Sequence, residues 1–239
     1  MKTLQILLIA LTAFTGCNKK AETMPTRNND TTVIKKADTV SYLALGDSYT
    51  IGEAVPQDQS YPYQLTALLQ STGINVQTPT IIATTGWTTD NLIDAIAVSN
   101  ITQKKYDFVT LLIGVNDQYQ QLSQSNYTIK FAQVLNTAIN FAGGNTSRVF
   151  VLSIPDWGVT PFGSGRDNVI GPEIDQFNAI NKAASMKAGV NYLDITPISR
   201  MAATDLTLIA PDGLHPSGKM YAIWMQELEP MVARQLEKK

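Results

Sequence analysis

The chain of 239 residues has one cysteine, Cys17, and one histidine, His215. A single cysteine excludes an internal disulfide and any cysteine-rich zinc site. A single histidine excludes every multi-histidine metal centre within one chain. Charged residues are scarce at 16%, and a formal net charge of −2 offers no basic surface for nucleic acid. No apolar run approaches the roughly 18 residues that span a bilayer. What is present is a hydrophobic fraction of 44%, enough to build a sizeable core and too much for a wholly disordered chain. Any chemistry must therefore rest on few special residues.

The amino terminus reads as an export signal. Met1-Lys2 gives a short positive start, and Ile6 to Phe14 is a nine-residue, mostly apolar run of signal-peptide length. It ends in Thr15-Gly16-Cys17, which resembles the lipobox of bacterial lipoproteins. That resemblance implies lipid modification of Cys17, with Phe14 standing where an aliphatic residue is usual. The expected organisation is a signal over 1–16, a lipid-anchored tether over 17–38 and one folded domain over 39–239. The tether carries Lys19, Lys20, Arg27, Asn28, Asn29, Asp30, Lys35 and Lys36 and no aromatic residue, so it cannot bury enough apolar surface to fold. Six of the 18 basic residues but only three of the 20 acidic ones fall before position 39, which leaves the domain at about −5. The basic charge thus sits beside the expected anchor, near anionic headgroups.

From Thr39 onward, short apolar runs alternate with helix-period segments. Tyr42 to Leu45, Pro79 to Ala83, Phe108 to Ile113, Val149 to Ile154 and Val190 to Ile195 are expected strands. The third lacks polar alternation, as a strand covered on both faces should. Helical stripes are expected at Tyr61, Leu65, Leu68 and Leu69, capped by Ser60, and at Phe131, Val134, Leu135 and Ala138. Two more follow at Ile174, Phe177 and Ile180 after Pro172, and at Tyr221, Trp224, Met225 and Leu228. This alternation implies an α/β protein with a parallel sheet and helices on both faces. Its ligand should lie beyond the carboxyl ends of the strands.

Those ends carry the unusual residues: Gly46-Asp47-Ser48-Tyr49, Thr85-Gly86-Trp87 and Gly114-Val115-Asn116-Asp117. Near the far end lies Asp212-Gly213-Leu214-His215-Pro216. A serine in a strand-to-helix turn presents its hydroxyl where N–H groups stabilise negative charge, but it needs a base to become a nucleophile. His215 is the one available imidazole, and Asp212, three residues earlier, is placed to bond its Nδ1. Singly, Ser48 reads as a helix cap, Asp212 as a turn former and His215 as a surface residue; their joint presence favours catalysis. Candidate oxyanion donors are the N–H groups of Ser48 and Gly86 and the side-chain amide of Asn116. Asp47 and Asp117 read as turn fixers, Glu53 as a solvated loop carboxylate, and Tyr221 and Trp224 as core. Asp156-Trp157-Gly158-Val159-Thr160-Pro161-Phe162 follows the fourth expected strand toward the same rim, and either lines a substrate pocket or packs its own loop.

Together the four blocks resemble the SGNH, or GDSL, hydrolase family, whose named roles fall in order on Ser48, Gly86, Asn116 and His215. Gly46-Asp47-Ser48 matches its opening, Gly114 to Asp117 its Gly-x-Asn-Asp and Asp212 to His215 its Asp-x-x-His. Tyr49 stands where the family name implies Leu. The resemblance covers about Thr39 to Glu237. It implies a three-layer α/β/α sandwich on a flavodoxin-like, five-stranded parallel sheet. It also implies a serine esterase acting on small acyl or acetyl esters, carbohydrates among them, with no metal and no cofactor.

Other readings differ by class. Lysophospholipase or thioesterase activity would use the same groups, whereas a non-catalytic binding lipoprotein would leave Ser48, Asp212 and His215 without a task. A flavodoxin-like receiver or flavin carrier shares the fold pattern but gives the Asp212–His215 pair no purpose. Export and anchoring through Cys17 carry their own test. Full-length protein made in a bacterium should incorporate labelled palmitate and partition with membranes, and Cys17→Ser should lose the label. An unchanged label in that variant would reject the anchor.

Overall fold

The computed structural model describes residues 39–238. Cys17, the expected signal and the expected tether lie outside the described residues. Five strands form one sheet: β1 (Tyr42–Gly46), β2 (Thr80–Ala83), β3 (Phe108–Leu112), β4 (Val149–Leu152) and β5 (Asn191–Leu193). Every pairing is parallel and the order is β2-β1-β3-β4-β5. This is the flavodoxin-like order, and its topological switch point lies between β1 and β3. The helices are α1 (Ser48–Ile51), α2 (Tyr61–Ser71), α3 (Thr89–Val98), α4 (Val115–Tyr119), α5 (Gln124–Phe141), α6 (Asp167–Ala188), α7 (Thr196–Arg200) and α8 (Gly218–Glu237). α2 packs with α8, while α3, α5 and α6 pack in sequence against one another, so helices cover both faces of the sheet.

β1, β3 and β4 are buried along their whole length, and the edge strands β2 and β5 are half-buried. Burial on both faces explains why Phe108-Val109-Thr110-Leu111-Leu112 shows no alternation. Each such side chain removed from water contributes about 1.5–3 kcal/mol. The one polar side chain in that run, Thr110, is satisfied: its hydroxyl meets Tyr42 Oη at 2.8 Å and Tyr61 Oη at 3.1 Å. Tyr221 and Trp224 are fully buried on α8, as their stripe implies.

β4 and β5 are shorter than their apolar runs because side chains take over the backbone bonds. At the end of β4, both polar groups of Ile154 pair with the buried amide of Asn178, at 2.7 and 2.9 Å. Beyond β5, Ile195 N–H donates to Ser153 Oγ at 2.8 Å. α6 starts five residues before Pro172, which lies inside it. The residue preceding a proline is ordinarily pushed out of helical space by its Cβ, and Gly171 has none. Ser60 stands at the α2 cap position, but its hydroxyl donates to Gln57 O at 2.8 Å instead of accepting from the helix. α3 buries Leu92 and Ile96 and packs Ile93 against the core, a short stripe within ten residues. Its start is set by a capping box between Thr88 and Asn91.

Register decides what reaches the catalytic edge. Gly46 is level with Ala83 on one side and Leu112 on the other, so the loops after β1, β2 and β3 leave the sheet side by side. A Cβ on Gly46 would lie 2.1 Å from Thr50 Oγ1 and 2.3 Å from Leu112 O, the latter fixed in a central strand. Gly114 is equally closed to a side chain, with φ +124 and Tyr127 Oη 2.2 Å from where a Cβ would stand. Gly46→Ala should therefore lower unfolding free energy by about 1–3 kcal/mol or more, as overpacking does. Urea denaturation of the two proteins checks this, and an unchanged midpoint would show that the turn can move aside.

Candidate active site

The nucleophile candidate sits on a turn that its neighbours determine. β1 ends at Gly46, Asp47 caps α1 by accepting the Tyr49 N–H at 3.0 Å, and Ser48 opens the helix with only 4% of its surface exposed. From the far side Tyr221 Oη donates to Tyr49 O at 3.0 Å, so α8 holds the turn. His215 arrives on a loop closed by Ala210 N–H to His215 O at 2.7 Å and Ser217 N–H to Leu208 O at 2.8 Å. Asp212 Oδ1 accepts the N–H groups of Leu214 and His215, both at 3.0 Å, and its Oδ2 meets His215 Nδ1 at 2.5 Å. The carboxylate thereby fixes both the loop and the ring, leaving Nε2 free. Partial burial pushes the Asp212 carboxyl up, but the bonds from His215 and the two amides outweigh it and hold the group below its ordinary range.

Ser48 and His215 line one cavity of about 190 Å³ together with Gly86 and Asn116. The four residues singled out by the sequence blocks are thus brought together. Among the described residues, Ser48 Oγ makes no hydrogen bond, a looseness common at such sites before substrate arrives. The N–H groups of Ser48 and Gly86 likewise have no protein acceptor among the described residues. Asn116 Nδ2 donates one hydrogen to Trp87 O at 2.9 Å, which orients the amide and leaves its other hydrogen available. No group of three or more His, Cys, Asp and Glu side chains suited to a metal occurs among the described residues.

Apart from Thr85, the rest of the wall is aromatic and aliphatic: Tyr49, Val115, Tyr119, Trp157, Phe162 and Leu214. Trp157 and Phe162 therefore line the cavity, which settles the choice left open for their loop. Tyr119, Trp157 and Phe162 form a cluster with ring centroids 5.5–6.3 Å apart. Trp157 is anchored by Nε1 donating to Gln118 Oε1 at 2.8 Å, and Gln118 in turn donates to Glu173 at 2.6 Å. Asp156, paired with Arg200 at 2.9 Å and accepting Gly158 N–H at 2.9 Å, fixes the turn that carries the indole. Tyr49 packs edge-on against the His215 ring at 5.4 Å, so the departure from Leu places an aromatic wall beside the base. Sequence reasoning passed over Tyr49, Thr85, Val115, Tyr119 and Leu214. Tyr119 had a signal, since it follows Asn116 by three residues, one turn along α4.

Two carboxyls differ from their expected roles. Asp117 is not a local turn fixer: its Oδ2 accepts Thr89 N–H at 2.9 Å and Thr89 Oγ1 at 3.0 Å, tying α4 to the start of α3. Glu53 is half-buried and its carboxylate accepts a bond from Thr85, so it is not simply solvated.

Asp47 is fully buried and its Oδ2 has no partner among the described residues. Burial, opposed by the Tyr49 amide and reinforced by Asp117, raises its carboxyl from the usual 3.8 to about 8. Burial likewise lifts Asp117 to about 6 against the bonds from Thr89. Below pH 3.8 the Asp47 carboxyl is protonated folded or unfolded. As pH rises toward 8 the unfolded chain releases that proton first, so this group's contribution to stability is lost over that window. Asp47→Asn should flatten the stability profile between about pH 4 and 8, with its largest relative gain at the alkaline end. Denaturant unfolding at pH 5 and pH 8 measures this; an equally steep decline in the variant would assign the titration elsewhere.

Comparison with known proteins agrees with this geometry. Residues 44–223 match the model of the GDSL-like lipase/acylhydrolase family. Among curated proteins no sequence matches the chain. The fold is shared with the psychrotrophic esterase EstA from Pseudoalteromonas sp., at 14% identity over 83% of this chain and 99% of that one, TM-score 0.63. It is also shared with an acetyl xylan esterase from Geobacillus stearothermophilus, at 19% identity over 82% and 94% of the two chains, TM-score 0.59. A lipase/acylhydrolase from Enterococcus faecalis superposes with TM-score 0.59 at 18% identity, over 83% and 96%. The five-stranded parallel sheet in flavodoxin-like order, the ordered catalytic blocks and the family match converge, and the chain belongs to the GDSL-like lipase/acylhydrolase family of ester-hydrolysing enzymes.

Proposed function

We propose that the protein is a serine esterase that removes a small acyl group, such as acetyl, from an uncharged ring alcohol of the carbohydrate type. The observation that carries the mechanism is the Asp212–His215 pair, with its free Nε2 in the same cavity as Ser48. In the first half-reaction Ser48 Oγ attacks the ester carbonyl carbon while His215 Nε2 takes the hydroxyl proton. The carbonyl electrons move onto oxygen, where the N–H groups of Ser48 and Gly86 and the free hydrogen of Asn116 Nδ2 receive the charge. Collapse expels the alcohol oxygen, which takes the proton back from His215, and leaves an acyl-Ser48 ester. Water repeats the sequence, with His215 again as base, and releases the acid. Asp212, ionised at neutral pH, stabilises the imidazolium formed in each half.

Size and charge favour this ester over the alternatives. The cavity, about 190 Å³, is smaller than the roughly 300–1,000 Å³ of sites that enclose drug-sized ligands. The acyl chain of a lysophospholipid would extend beyond it. None of the lining residues is Lys, Arg, Asp or Glu, and Arg166 lies over the Trp157 ring at 4.9 Å. A polyphosphate thioester would need more positive charge than that. Half-exposed Tyr119 and Phe162 at the mouth offer flat apolar faces to a sugar ring. The fold's occurrence in an acetyl xylan esterase supports the same choice. Lipid on Cys17 would hold the domain at a membrane surface.

A fluorophosphonate should label the protein once, on Ser48, and Ser48→Ala should lose both label and turnover. His215→Ala should be about as damaging, because the two groups act as a unit. Asn116→Ala should lower kcat roughly 100- to 1,000-fold with little change in KM, since the donor meets charge only in the transition state. Acetyl esters and acetylated sugars should be cleaved faster than lysophospholipid or acyl-CoA. Label on another serine, or turnover by Ser48→Ala, would reject the nucleophile; faster lysophospholipid cleavage would reject the small-acyl reading.

A further inference from the structure

The loop that carries Gly86 has little packing to hold it. Thr84, Thr85 and Gly86 are exposed, and a Cβ built on Gly86, at φ +82, would meet no atom within 4 Å. An oxyanion donor must nonetheless stay fixed, because a donor that can retreat loses its advantage over water. Two side-chain bonds flank the position. Downstream, Asn116 Nδ2 donates to Trp87 O. Upstream, Thr85 Oγ1 donates to the carboxylate of Glu53.

Glu53 is itself attached to the nucleophile's turn, since its N–H donates to Ser48 O at 3.0 Å. The chain around it is held in uncommon backbone states: Gly52 has φ +80, and Ala54 has φ +63 although it carries a side chain. A non-glycine residue in the left-handed region persists only where surrounding contacts enforce it, and such positions cluster at functional sites. One residue therefore touches both halves of the oxyanion machinery: its backbone grips the residue that supplies one donor, and its side chain grips the neighbour of another.

We propose that Glu53 is a positioning residue for catalysis, linking the Ser48 turn to the Gly86 loop through Thr85 and thereby setting the separation of the two main-chain donors. This rests on the assignment of Gly86 as an oxyanion donor. Glu53 touches neither substrate nor the reacting atoms, so its removal should weaken the transition state and leave ground-state binding alone. In the full chain, Glu53→Ala should lower kcat roughly 10- to 100-fold, the scale of a modest misplacement, with KM little changed. Thr85→Val, similar in shape but without the hydroxyl, should match it, and the double variant should be no worse than either single one. Glu53→Gln should recover most of the loss, because its amide oxygen still accepts from Thr85.

Active-site titration with a fluorophosphonate and thermal unfolding, run on each variant, separate positioning from folding. The proposal expects a full complement of labelled Ser48 and an unfolding midpoint near the parent's, with acylation slowed. It is overturned by parent-like kcat in Glu53→Ala, by losses that multiply in the double variant, or by a loss that Glu53→Gln fails to restore. It is equally overturned if the fall in kcat tracks a fall in the titratable fraction. An inert Ser48→Ala beside a fully active Glu53→Ala would reject the positioning role alone. An active Ser48→Ala would reject the esterase mechanism on which it rests.

Discussion

The carboxyl end of β1 lies so close to β3 that no side chain fits between Gly46 and the Leu112 carbonyl. The catalytic edge depends on that approach. It brings the first residues after two central strands into adjacent register, so Ser48 and Asn116 enter one cavity from separate loops. Thr50, the residue that would meet a Gly46 side chain, lies 3.5 Å from Tyr61 Oη, which also contacts Thr110 in the centre of β3. The turn, the first long helix and the sheet are thereby joined through buried hydroxyls. Tyr221 adds α8 to the same assembly through the Tyr49 carbonyl. The nucleophile is held by the core, not by its own loop.

Charge is distributed to match. Beside Ser48, burial raises the Asp47 carboxyl and so favours its neutral form. On the opposite side, hydrogen bonds from His215 and two amides hold Asp212 below its ordinary range against partial burial. Two aspartates close to one cavity thus have opposite protonation preferences, set by solvation in one case and by hydrogen bonds in the other. The walls between them carry no formal charge apart from His215 itself when protonated.

Much of this was legible in the sequence, for identifiable reasons. Strands buried on both faces, such as Phe108–Leu112, announce themselves by uniform apolarity. The Asp212–His215 pair is local, so three-residue spacing alone predicts its bond. Strand ends were overestimated where Asn178 and Ser153, distant in sequence, complete the backbone bonds. α3 was missed although Leu92, Ile93 and Ile96 recur at helical spacing after a capping box. The wall of Tyr119, Trp157 and Phe162 draws on α4 and on the segment after β4, and no periodicity joins them. Asp117 and Glu53 looked like ordinary loop carboxylates because their partners, Thr89 and Thr85, lie 28 and 32 residues away.

The same contrast separates the two kinds of support in the site. Ser48 opens α1 at the end of a buried strand and His215 lies buried in a loop closed by backbone bonds, so their positions share the stability of the core. Gly86 is exposed and unpacked, and polar tethers on either side must supply what packing does not. Such tethers compete with water and contribute little net stability, about 0.5–1.5 kcal/mol for an ordinary hydrogen bond and somewhat more for one to a charged group. Their value lies in narrowing the donor's position, which a transition state senses far more sharply than a folding equilibrium does. That division of labour sets core packing under Ser48 and leaves two polar tethers to fix the exposed Gly86 loop.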